Sequence, residues 1–81
     1  MSSADTFSTV DLYTSAFLVT TGYPVRKTTR DDTGRVVLHF DSAAATRAMD
    51  FECGAAQVDA RLFASAHRML KVRIARELKA R

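Results

Sequence analysis

The chain reads as a small α+β domain, and three segments carry that expectation. Residues 9–21 place apolar side chains at helical spacing and are closed by Gly22 and Pro24. The run "RVVLHF" alternates apolar and polar residues behind the turn sequence "DDTG". From Asp59 almost to the end, a long amphipathic segment combines an apolar side with a basic one. The expected architecture is a single small domain: helix, β-hairpin, short helix, long C-terminal helix.

Taken in order, residues 1–8 are small and polar and read as a flexible N-terminus, with the folded domain spanning 9–81. Ser8 is a suitable N-cap, with Asp11 at the third helical position against the positive end of the helix dipole. Leu12, Ala16 and Val19 fall on one stripe, with Tyr13 and Phe17 beside it. Gly22 can take the left-handed conformation that ends a helix, and Pro24 blocks continuation.

The hairpin follows as "VRKTTR", "DDTG" and "RVVLHF". Asp31 at the first position and Gly34 at the fourth suit a type I turn. Val36, Leu38 and Phe40 should face the core. Two registers fit the first strand: pairing with and without a bulge at Gly34 differ by one residue and swap the face that holds Arg26 and Arg30. A two-stranded hairpin is marginal alone, so the first and last helices are expected to cover it. Both edges are then free, and Arg26, Lys27 and Arg30 guard the first strand. A homodimer through the edge of the second strand, or through exposed helix surface, fits this arrangement.

Asp41 or Ser42 can cap the second helix, "AAATRAMDF", whose alanines imply close packing with Met49 or Phe51 as anchor and which ends near Gly54. Val58, the capping Asp59 and Phe63 have the spacing of a hydrophobic staple at the start of the third helix. The core expected from these elements contains Leu12, Phe17, Leu38, Phe40, Phe63 and Leu70.

The motifs "DLYTSAFLVTTGYP", "RVVLHFD" and "VDARLFASAHRMLK" together resemble a family of small bacterial and phage proteins, the domain of unknown function 5659 family. The likeness covers residues 9–71, with Asp11, Leu12, Tyr13, Gly22, Phe40, Val58, Phe63 and Lys71 on the shared pattern and His39 as a departure. It implies an α-β-β-α-α order and brings no activity with it.

Composition narrows the function. In 81 residues, 47% are hydrophobic and 26% charged, too apolar a chain for disorder and long enough for one domain. Cys53 is the only cysteine, so no internal disulfide forms, and the first residues lack the pattern of a signal peptide. The longest apolar run in the first helix, "AFLV", is far too short to span a membrane. A cytoplasmic protein is expected.

No catalytic pattern stands out. Cys53, His39 and His67 lack metal-ligand spacing, so no metal is expected, and Cys53 reads as a small hydrophobe ending a helix. Cys53 with His67 lacks an orienting acid, and Gly22, Gly34 and Gly54 are too scattered to cradle phosphate. No cofactor is expected, and the chain reads as a non-enzyme.

Charge distribution is more informative. Residues 1–57 hold 5 Lys/Arg against 7 Asp/Glu, whereas residues 58–81 hold 7 against 2. On the third helix Leu62, Phe63, Ala66, Met69, Leu70, Ile74 and Leu78 share a broad apolar side, with Arg73 towards its edge. Arg61, Arg68, Lys71, Arg76 and Lys79 gather opposite, with Val72 among them. Such a row suits contacts to a phosphate backbone, which give affinity without reading bases. Every amphipathic helix also needs a solvated side, and cations suit a helix C-terminus. The expected function is therefore that of a small basic accessory protein of bacterial or phage type binding nucleic acid through this helix. The alternative is a protein-interaction module, an inhibitor or adaptor acting on an acidic protein partner.

Overall fold

A computed structural model describes residues 6–54 and 56–79. Its elements are β1 (Thr6–Thr9), α1 (Leu12–Thr20), β2 (Lys27–Arg30), β3 (Val36–Asp41), α2 (Ala44–Glu52) and α3 (Ala60–Lys79). The expected α+β class and the order from α1 to α3 hold. One strand is added at the front.

That strand corrects the reading of residues 1–8 as a flexible tail. Thr6–Thr9 pairs antiparallel with β3, Phe7 opposite Phe40 and Thr9 opposite Leu38; residues 1–5 lie outside the described residues. Phe7 and Thr9 turn inward, the side on which Phe7 joins the core, and this partnering outweighs the polar composition of "TFST". Ser8 consequently caps nothing. The N-cap is Asp11, whose carboxylate accepts the Thr14 N–H at 3.1 Å and also the Thr14 hydroxyl.

The sheet order is β1-β3-β2, so β3 is central. Both of its edges are occupied by the same chain, which removes the route to a homodimer through the free edge of this strand. Gly34 has φ +87°, its N–H donates to the Asp31 carbonyl, and the Asp31 N–H donates to the Arg35 carbonyl. The bulged register is therefore the one adopted, pairing Arg30 with Val36 and Thr28 with Leu38. Arg30 points inward with Thr28, while Arg26 lies exposed before the strand begins.

The sheet's inner face presents Val36, Leu38 and Phe40, all buried. Phe17 and Leu18 of α1 pack against it together with Ala44 and Ala48 of α2. Five consecutive residues of α1, Thr14–Leu18, are buried because α1 lies among α2, α3 and the sheet. The two polar members are satisfied locally: the Ser15 hydroxyl donates to the Asp11 carbonyl at 3.0 Å. Among the described residues no buried side-chain polar atom lacks a partner. At the far end, Tyr23 N–H donates to the Leu18 carbonyl and Gly22 N–H, at φ +104°, to the Val19 carbonyl. This is the paired arrangement of a Schellman stop, as the position of Gly22 leads one to expect.

Four of the six expected core residues, Phe17, Leu38, Phe40 and Leu70, are buried; Leu12 and Phe63 are partly so. In α2 the anchor is Phe51, stacked on Phe17 at 5.1 Å between centroids, while Met49 is 64% exposed. Asp41 accepts the Ala43 N–H at the entry to α2. Asp59 accepts the N–H groups of Arg61 and Leu62 and opens α3, with Val58 and Phe63 both packed on the core as a staple requires.

Candidate nucleic-acid interface

The third helix rests on α1 along one narrow row. Ala16, Ala66 and Leu70 form their own buried cluster, and Phe63 and Ile74 extend the row at either end. Small residues on both helices let the backbones approach, so the contact is close and slender. That geometry corrects the broad apolar side expected for this helix: Leu62, Met69 and Leu78 are exposed. They sit on the flanks of the helix, outside the buried row.

Opposite the buried row, Arg61, Arg68, Lys71, Arg76 and Lys79 are all exposed. Arg61, Arg68 and Lys79 follow one another by seven and eleven residues, close to two and three helical turns, and so stand in line. Arg76 lies towards one flank of that line and Lys71 towards the other. At about 1.5 Å per residue the ridge is about 27 Å long. Arg73 is exposed as well.

The two acids of this segment make local contacts of their own. Asp59 is turned back into the cap of its own helix. Glu77 faces the sheet, where its Oε1 accepts the Thr28 hydroxyl at 3.0 Å. The Arg30 guanidinium donates to the Glu77 carbonyl at 2.9 Å, occupying one of the carbonyls that a helix C-terminus leaves open. Both acids are thus engaged in holding the helix. The one ion pair among the described residues, Arg47–Asp50 at 3.6 Å, is on α2. The five ridge cations face solvent without a carboxylate partner.

On one flank of the ridge lies an apolar groove, between Pro24 and Val25 on one wall and Met69 and Val72 on the other, with Arg73 and Arg76 at its rim. On the other flank Tyr13 of α1 covers the edge of α3. Its ring stacks on His67 at 5.1 Å and 20°, and lies parallel to Phe63 at 6.4 Å. The sequence gives no direct signal for this stack, because it depends on how α1 and α3 cross.

Cys53 is exposed and free, not the small buried hydrophobe expected, because α2 ends there with its side chain outside the core. His39 points to the outer face of the sheet, where its Nε2 is 2.8 Å from the Thr29 hydroxyl. Among the described residues, no three or more His, Cys, Asp or Glu side chains gather as a metal site would require. No helix among them is long and apolar enough to cross a membrane.

No protein-family model, curated protein or solved structure matches the chain.

Proposed function

We propose that the protein is a small, non-enzymatic, cytoplasmic binding protein that docks onto nucleic acid through the solvent face of α3. One observation carries the reading. Arg61, Arg68, Lys71, Arg76 and Lys79 line the exposed side of α3, and neither acid of the basic segment forms an ion pair with them among the described residues. A phosphate backbone is the ligand whose charge repeats along such a row, and each contact releases condensed counterions. Nothing in the row is arranged to read base edges, so little sequence preference is expected. The resemblance to the small bacterial and phage family adds no activity to this argument.

The test is a titration at several salt concentrations. Five phosphate contacts give a slope of log affinity against log salt of about −4.5 on duplex and about −3.5 on a single strand. Replacing both Arg68 and Arg76 by Gln lowers the magnitude of the slope by about 1.5–2 and leaves the fold intact, since both side chains are exposed. Absence of binding to DNA or RNA at low salt overturns the proposal.

The apolar groove supports a second reading, an amphipathic helix of an acidic protein partner. Met69 and Val72 would take its apolar side, and Arg73 and Arg76 its carboxylates. An acidic amphipathic peptide that shifts the Met69 and Val72 methyl resonances, with no salt-dependent nucleic-acid binding, is the result that favours it.

A further inference from the structure

We propose that Tyr13 is a base-stacking platform, and that the nucleic acid carried by the α3 ridge is therefore single-stranded; this rests on the ridge being a phosphate-binding surface. Tyr13 is the second residue of α1, at the end of the helix that crosses α3 beside Phe63 and His67. Its ring is near-parallel to both and packs at the edge of α3. The residue is nonetheless 57% exposed. Here the ring lies near-parallel to two other rings while more than half of the residue stays open to solvent.

Its position relative to the charges matters as much as its exposure. His67 directly precedes Arg68 in sequence, and Lys71 stands one turn beyond His67 on the same flank. The α3 residue between Phe63 and the line of arginines is Ala64, exposed and too short to screen the ring. An aromatic face beside a cationic track is the combination that binds single strands without sequence preference: the backbone follows the charges while a base stacks on the ring. In a duplex the bases are paired and stacked on one another and cannot reach it. The platform thus supplies what the ridge alone does not, a basis for telling single strand from duplex. The groove on the opposite flank contributes nothing to it.

The experiment uses the full chain and two DNA probes of about 16 nucleotides, an oligothymidylate and a mixed-sequence duplex. Tyr13 and Tyr23 are the only tyrosines and there is no tryptophan, so Tyr23→Phe leaves Tyr13 as the sole reporter of intrinsic fluorescence. The expected result has three parts. The single strand binds more tightly than the duplex at equal salt, and its binding quenches Tyr13. Tyr13→Leu, which keeps an apolar cover over Phe63 but removes the flat ring, weakens single-strand binding about 5- to 150-fold. Its duplex affinity and salt slope stay unchanged. Equal affinity for the two probes, or a bound single strand that leaves Tyr13 unquenched, overturns the platform while the ridge still stands on its salt slope. Failure of both probes to bind at low salt overturns the ridge, and the platform with it.

Discussion

Thr28 and Glu77 are 49 residues apart in the chain and joined by a hydrogen bond of 3.0 Å, which ties the edge strand β2 to the last turns of α3. Two strand positions later Arg30 repeats the tie through the Glu77 carbonyl. Replacing Thr28 by Val removes the hydroxyl and keeps the shape. The expected loss is about 1 kcal/mol, because the acceptor is charged but the pair is only partly buried. Urea denaturation measures it, and an unchanged midpoint would show that Arg30 alone holds the end of the helix.

Leu38 is fully buried at the centre of the sheet, with Thr9 opposite it on one side and Thr28 on the other. Neither neighbour has the bulk to close a space left there. Leu38→Ala is expected to cost about 2–5 kcal/mol. A loss below about half a kcal/mol in chemical denaturation would mean that the residue does not face the core.

In the hairpin turn, the Asp31 carboxylate accepts the Thr33 hydroxyl and the N–H groups of Thr33 and Arg35. The Thr33 hydroxyl is the largest influence, and together with the backbone donors and the Arg35 charge it holds the Asp31 pKa below its ordinary 3.8 against a smaller opposing effect of desolvation. A carboxylate with a depressed pKa favours the folded turn fully above the unfolded value, and that contribution is lost as pH falls through the folded one. NMR titration of the Asp31 side chain should give a midpoint below 3.8, and Thr33→Val should move it upward. No movement in Thr33→Val would place the cause in the backbone donors and the Arg35 charge.

Much of this fold is legible from local chemistry. Gly22 before an aromatic and a proline marks the end of α1, and alternation in "RVVLHF" orients β3 correctly. Asp59 with Val58 and Phe63 marks the start of α3. What escapes is set by contacts between distant segments. Thr6–Thr9 has too few apolar residues to announce a strand, and it becomes one because β3 offers an unpaired edge. Leu62 and Met69 carry the spacing of a buried side but lie beyond the slender contact that Ala16 and Ala66 permit. The ridge cations can be placed from helical spacing alone, since solvent demands nothing more specific. That their neighbouring acids are occupied, and that Tyr13 lies over His67, can be seen only once α1, α3 and the sheet are assembled.

The N-terminal strand covers an edge of β3 that would otherwise be open. Its partner "VVLHFD" is rich in β-branched and large apolar residues and ends in the only charge of the strand, a composition that readily adds further strands from other molecules. Its other edge is taken by β2, whose Lys27 and Arg30 discourage further growth on that side. On the remaining edge just four residues, Thr6–Thr9, stand between β3 and intermolecular cross-β pairing. Loss of that short strand by proteolysis would leave most of the core in place while baring the backbone amides of β3. The segment that covers this edge contributes one aromatic ring, Phe7, to the interior.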